Sequence, residues 1–268
     1  MNVWDFLNQH TPGQWKYGKA YENDVLKLAV QYVFIGESTD ELGEIYEKKG
    51  WRFVRIWEDI WQQKPEIVQS RLLALVGLSE RIPARLTLVK GIDQTFLNTF
   101  LNENHLQITA RCKYRYGLFL KPMAQNAAYG ENLLIQKLDN CVAVAGFGPL
   151  RLMPLRGEQY YSGELIRFAN VRGYTVVGGL DKLIQAFVRE HHPDDLMTYA
   201  DRDWSAGHSY ERLGFERVGY ASPQVFWLNP ETGQRQLEKQ DGWALVQNRG
   251  SYKYIKRFRK VGFGELYE

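Results

Sequence analysis

Apolar residues along the chain fall into short runs with two different periods, and their order suggests three parts. In the first, to about residue 85, "ENDVLKLAVQYVFI" predicts a helix leading into a strand. "TDELGEIYEKKG" has helical spacing, with Thr39 or Asp40 as N-cap and Gly50 as its stop. "WRFVRIW" alternates as a strand does, and "KPEIVQSRLLALVGL" predicts a helix with Pro65 early and Gly77 late. These pieces make a small α/β unit over residues 1–85, and "SERIPAR" reads as the connector that follows it.

In the second part, 86–235, "DQTFLNTFLNENH" predicts an amphipathic helix. "RYGLFLKP" and "ENLLIQKLDNCVAVAGFGPLRLMP" read as antiparallel strands, with "GELIRFANV" as another. After "RGYTVVGG" comes "LDKLIQAFVREHH", a helix with Leu180, Leu183, Ile184, Phe187 and Val188 on one face. "DLMTYA" is a short strand, "GHSYERLG" a helix stopped by Gly214, and "FERVGY" and "PQVFWLNP" are closing strands. A single strand–helix–strand crossover inside an otherwise antiparallel order defines the fold class as α+β, a mixed, mostly antiparallel sheet flanked by helices. Residues 236–268 form a third part of basic, aromatic strands or tail.

Composition narrows the classes. Hydrophobic residues make up 44% and charged residues 24% of 268, which suits a folded core. No apolar run approaches the roughly 18 residues that cross a bilayer, and the N-terminus lacks a signal-like apolar segment. Cys112 and Cys141 stand alone, with no histidines at metal-finger spacing. The expectation is a cytoplasmic protein with reduced thiols, no metal and no membrane partner. Net charge is only +3, but "GSYKYIKRFRKVGFGELYE" concentrates Lys253, Lys256, Arg257, Arg259 and Lys260 among Tyr252, Tyr254 and Phe258. Such a stretch holds nucleic-acid phosphates, or is an ordinary edge strand with outward lysines.

Two stretches offer chemistry. "FANVRGYTVVGGLDKLI" puts Gly178 and Gly179 between a strand and a helix, where free N–H groups and the helix dipole favour an anion. The same glycines also serve a tight turn with no ligand. "ADRDWSAGHSYERLGF" sets Asp201 and Asp203 beside Arg202, Trp204 and Ser205. One aspartate is a candidate general base, and Ser205 a candidate helix cap. The alternative is a capping network, with Asp203 and Ser205 on backbone amides, Trp204 in the core and Arg202 in a surface ion pair; His208 is expected to face solvent.

The glycine turn followed by "YERLGF" resembles the GNAT acyltransferase superfamily. The turn here reads VVGG where that superfamily has Q/R-x-x-G-x-G/A, and Arg172 and Gly173 lie too early to match. The resemblance implies acetyl-CoA or a related coenzyme A thioester as donor. Its pyrophosphate would sit on Val177, Gly178, Gly179, Leu180 and Lys182, and its carbonyl on the strand holding Phe168 and Asn170. Tyr210 takes the position of the tyrosine that protonates the leaving thiolate, with Asp201, Asp203 or Ser205 as its catalytic neighbours.

Residues 45–228 are also similar to homing-endonuclease-like proteins of phages and giant viruses, in which a nuclease module like very-short-patch repair enzymes precedes a GNAT-like one. The pieces are "GWRFVRIWEDIWQQKPEIVQSRLLALVGLSERIPAR", "FLNTFLNENHLQ" and "TVVGGLDKLIQAFVREHHPDDLMTYADRDWSAGHSYERLGF". That likeness implies DNA or another nucleic acid as partner and places His105 and Gln107 near an acceptor site. Residues 1–85 would be a trimmed nuclease-like unit, since Glu37 and Glu58 match no metal set. A GNAT-type transferase acting near nucleic acid is one reading; a non-catalytic DNA-binding module using Lys253, Lys256, Arg257 and Arg259 is the other.

Overall fold

The computed structural model describes residues 1–37, 41–107, 110–125, 128–155 and 158–259. The chain divides into two units. The first takes 1–78, 199–212 and 217–254; the second takes 79–198, 213–216 and the described residues from Ile255 on.

In the first unit, β1 (Leu28–Val33) and β2 (Arg52–Trp57) run parallel, from Leu28 opposite Arg52 to Val33 opposite Trp57. α1 (Leu42–Lys48) lies between them in sequence, and α2 (Pro65–Leu75) follows with its proline at the helix start. Both strands are buried along nearly their whole length, on both faces, so they read as continuous apolar runs. Ala29, Leu42, Tyr46 and Phe53 share one core cluster, with the Tyr46 and Phe53 rings stacked at 5.8 Å. Short strands Lys16–Tyr17 and Tyr21–Asn23 complete a four-stranded sheet at the β1 edge.

The segment expected to lead into β1 as a helix is instead a hairpin turn. Asn23 is buried, accepts the Leu26 N–H at 3.0 Å and donates to the Pro12 carbonyl at 2.9 Å. An asparagine that bonds its own backbone favours a turn over a helix, and Lys27 completes the turn at φ +48. The predicted helices after it hold, and Gly50 and Gly77 stand past their ends with positive φ. The caps expected at Thr39 or Asp40 lie outside the described residues. Later in the chain, Val225–Leu228 pairs with Arg235–Gln236 and Ala244–Gln247, and Leu228 and Val246 pack with Val33 and Trp57.

The second unit holds β3 (Thr87–Gly91), α3 (Gln94–Asn104), β4 (Tyr114–Leu120), β5 (Cys141–Phe147), β6 (Glu158–Asn170), α4 (Gly179–His191) and the start of β7 (Asp195–Asp201). Strands β3 to β6 are antiparallel neighbours, whereas β7 joins β6 in parallel, Ser162–Leu165 against Asp195–Thr198. The mixed, mostly antiparallel α+β class is therefore the one observed. Asp93 caps α3, accepting the Phe96 N–H at 2.7 Å. Leu183, Ile184 and Phe187 are the buried stripe of α4, and Phe187 stacks on Phe147 of β5 at 4.2 Å. Beyond β7 the strand order continues through β8 (Ser251–Arg257) to Glu216–Ala221.

Three local expectations change here. "SERIPAR" contains a strand, Glu80–Pro83, paired in parallel with Tyr174–Val177. "LLIQK" is a short helix because Asn132 accepts the Leu134 and Ile135 N–H groups and caps it. The chain then reverses through Asp139 and Asn140, both at positive φ, into β5. The edge strand β3 had no clear pattern of its own, since only Thr87 is buried in it.

Candidate active site

In the second unit, β6 breaks register opposite β5 between Leu165 and Arg167. A bulge there bends the strand. Its parallel pairing with β7 ends at Leu165 opposite Thr198. From there β6 continues along β5, Phe168 opposite Ala145 and Asn170 opposite Ala143. Among the described residues of this unit, the edge of Phe168–Asn170 away from β5 has no strand partner. The Asn170 side chain accepts the Val176 N–H at 3.4 Å and ties the strand end to the turn.

That turn opens α4. Gly178 is the N-cap at φ +76, a left-handed conformation that glycine adopts without penalty. A Cβ on Gly179 would stand 2.9 Å from two Val176 carbons and 3.2 Å from Leu118 Cδ1, so this position is held by close packing. The first helical bond runs from the Lys182 N–H to the Gly178 carbonyl at 3.0 Å. The N–H groups of Gly179, Leu180 and Asp181 precede that ladder and lie at the positive end of the helix. Val177 and Gly178 are exposed beside them. Lys182 does not carry its charge to this turn. Its ammonium donates to the Ala84 carbonyl at 2.8 Å, the Thr87 carbonyl at 2.6 Å and Thr87 Oγ1 at 3.3 Å. Burial, then Lys121, lower its pKa.

In the first unit, the "ADRDWS" loop is a hub of buried polar contacts. Asp203 is 4% exposed; its carboxylate accepts the Trp57 indole N–H at 3.2 Å and the Arg249 backbone N–H at 3.1 Å. Its carbonyl accepts the Arg55 N–H at 2.7 Å. Burial, then the Asp201 carboxylate, push its pKa up to about 6, against the pull of Arg55 and the two hydrogen bonds. Asp201 itself accepts the Asp203 N–H at 3.0 Å. Arg202 donates to Glu44 at 2.6 Å and Glu47 at 3.4 Å, with the Tyr220 and Tyr252 rings 5.3 and 4.8 Å from its guanidinium carbon. Burial works against its charge, but its glutamates and Tyr252 hold its pKa above the ordinary value. Arg249 reaches Glu47 at 2.9 Å and donates to the Arg202 carbonyl at 2.8 Å.

Asp203 and Arg202 thus follow the capping-network alternative, except that Arg202 is buried in the network rather than exposed. Ser205 accepts the Gly207 N–H at 2.9 Å, and the helix begins at His208, which is exposed. Tyr210 lies on that helix, its ring 5.8 Å from Tyr254. Arg71 of α2 sits over the Trp204 ring at 4.8 Å. Arg71, Trp57, Arg249, Glu44 and Glu47 all escaped the sequence reading. They come from segments far apart in the chain, with no shared motif.

The remaining predicted contacts are mostly tied within the fold. Arg257 pairs with Glu216 at 2.7 Å, and Arg259 reaches the Gln159 carbonyl at 3.3 Å and Asp194 at 3.7 Å. Lys256 lies 6.0 Å from the Phe258 ring, Lys253 is on β8, and Lys260 is outside the described residues. His105 Nδ1 accepts the Gln107 N–H at 3.2 Å in the turn after α3. Glu37 and Glu58 bond the Phe34 and Ile35 N–H groups at 3.2 and 3.0 Å. Among the described residues no three His, Cys, Asp or Glu side chains group to hold a metal, and no helix is long and apolar enough to cross a membrane.

No protein-family model matches the sequence, and no curated protein is significantly similar to it. Solved structures show a fold likeness at low identity. NAA60 of Arabidopsis thaliana in complex with acetyl-CoA gives a TM-score of 0.43 and 11% identity, covering 64% of this chain and 98% of that one. The ribosomal-protein-S18-alanine N-acetyltransferase of Escherichia coli gives 0.40 and 11%, covering 68% and 99%. The NatB acetyltransferase complex bound to CoA and MES gives 0.39 and 12%, covering 64% and 99%.

Proposed function

We propose that the chain is an acyltransferase of the GNAT type that takes its acyl group from a coenzyme A thioester. The observation that carries this reading is the path of β6 in the second unit. It bulges after Leu165, leaves its parallel partner there, and leads through a glycine turn into the start of α4. An extended pantetheine-like arm suits the peptide edge from Phe168 to Asn170, and a pyrophosphate suits the N–H groups of Gly179, Leu180 and Asp181. Lys182 is excluded from that set, because its ammonium is held by Ala84 and Thr87. The donor supplies an activated acyl group. In this reading Tyr210 gives the proton that the departing sulfur needs, and Asp201 is the base for the acceptor. Asp203 is reserved for the buried network.

A thermal-shift titration with acetyl-CoA tests the reading. Gly179 is a poor position for the control, because any side chain there meets Val176. Val177 is 49% exposed at the same turn, so Val177→Asp sets a negative charge beside the phosphate site while sparing the fold. Acetyl-CoA is expected to raise the Tm of the wild type and not that of Val177→Asp. Equal shifts in both proteins would remove the turn from the site.

A further inference from the structure

In the second unit, β3 is the end strand of its sheet, with β4 on one side and, among the described residues, no strand on the other. The bonds that bracket it fix which way its peptide groups point. The Lys121 N–H donates to the Leu86 carbonyl at 2.9 Å, and the Ile92 N–H to the Arg115 carbonyl at 3.2 Å. Leu86, Leu88, Lys90 and Ile92 therefore face β4, and Thr87, Val89 and Gly91 alternate with them and turn their N–H and C=O groups outward. The Thr87 carbonyl is met there by the Lys182 ammonium at 2.6 Å. Among the described residues no group meets the outward N–H and C=O of Val89 and Gly91.

The same two residues border a groove of about 360 Å³ with Tyr116 of β4 and Ala186, Arg189 and Glu190 of α4. Gly91 stands opposite Tyr116 in register, and a Cβ on it would meet nothing within 4 Å, so the groove is open at that point. Its charges are not equivalent. The buried Tyr116 donates its hydroxyl to the Glu190 carboxylate at 2.7 Å, 2.8 Å from His191 Nε2. Arg189 is exposed, and among the described residues its guanidinium has no hydrogen bond or ion pair. A lysine often guards a free sheet edge, but Lys90 turns its ammonium onto the Phe119 ring at 4.9 Å, on the face away from the groove.

We propose that the free edge of β3 takes an extended peptide segment of a partner protein as an added strand, with an acidic side chain of that segment on Arg189. Val89 and Gly91 present two N–H donors and two carbonyl acceptors in line, the pattern that a strand of peptide satisfies. The groove receives the side chain that faces α4, and the guanidinium selects a carboxylate there. This surface lies at the opposite end of α4 from the glycine turn, and it stands or falls independently of the transferase reading.

The probe is a fluorescein-labelled peptide of about seven residues, alternating threonine and valine around a central glutamate, followed by fluorescence anisotropy. The wild type is expected to bind it saturably, and to bind the same peptide with a central lysine about fivefold more weakly or worse. N-methylation of the two peptide groups flanking the glutamate is expected to abolish binding. Val89→Pro removes an N–H that the β3–β4 ladder does not use, so it should melt like the wild type and bind about tenfold more weakly or worse. Arg189→Glu should reverse the preference between the glutamate and lysine peptides. Should Val89→Pro not fold, Arg189→Glu at its exposed position and the N-methylated peptide carry the test. No binding by the wild type overturns the proposal, as does undiminished binding of the N-methylated peptide or by a folded Val89→Pro. An unchanged preference in Arg189→Glu does the same. So does a dimer in sedimentation that Val89→Pro dissociates, because a second copy of the chain would then occupy the edge.

Discussion

Asp203 links the buried network of the first unit to a measurable pH dependence. Its pKa is pushed up to about 6 in the fold, against about 3.9 for an unfolded chain. Between those values the folded protein holds a proton that the unfolded chain has released, so stability rises as pH falls through 6 and the gain is complete below about 4. For this one group, lowering the pH from 8 to 5 adds on the order of 1 kcal/mol. At roughly 2–4 °C per kcal/mol for a chain of this size, that is a rise of a few degrees in Tm. Asp203→Asn removes the titration while keeping the shape. The amide oxygen still accepts from either the Trp57 indole or the Arg249 N–H, and the other donor then faces an NH2 group. Losing that bond costs about 1–3 kcal/mol, which roughly offsets the relief of a buried charge at pH 8. Wild type and Asp203→Asn should therefore unfold at similar temperatures at pH 8 and separate at pH 5, with the wild type higher. Circular-dichroism melts of both proteins at the two pH values decide it. Parallel profiles would show that Asp203 does not titrate in this window, and a wild type lower at pH 5 would reverse the sign of the argument.

Two further outcomes follow from packing in single units. Gly207 has φ +86, and a Cβ there would lie 2.3 Å from the Tyr254 ring. That ring's hydroxyl donates to the Ala206 carbonyl at 2.6 Å, so Gly207→Ala should cost about 2–4 kcal/mol in urea unfolding; a loss below 1 kcal/mol would refute the close approach. Burial pushes the Cys141 thiol up to about 12 and raises Cys112 as well. Both should react with a thiol reagent at pH 8 only as the protein unfolds, and rapid native labelling of either would contradict their placement.

Much of the fold was legible in the sequence because its longer elements carry strong signals. Pro65 and the stripe of Leu183, Ile184 and Phe187 each mark a helix, by a fixed φ or by period. The order of strands around α4 gave the mixed sheet. The errors fall where a short-range bond outweighs periodicity. Asn23 turns the chain before β1, and Asn132 starts a helix in a run that looks like a strand. The glycine turn was readable, but its chemistry was not. Only the structure shows that Lys182 is tied back and that Val177 is exposed. In "ADRDWS" the residue types suggested catalysis, whereas burial gives Asp203 and Arg202 a structural task. Their partners are 146 and 158 residues away in sequence, at Trp57 and Glu44, beyond the reach of any local pattern.

Binding of acetyl-CoA, followed by calorimetric titration of the wild type and Val177→Asp, tests the transferase reading most directly. The account predicts saturable one-to-one binding by the wild type. It predicts affinity about tenfold weaker or worse for Val177→Asp, as expected for one added negative charge close to a pyrophosphate. A wild type that takes up no acetyl-CoA, with an intact melting transition, would contradict it.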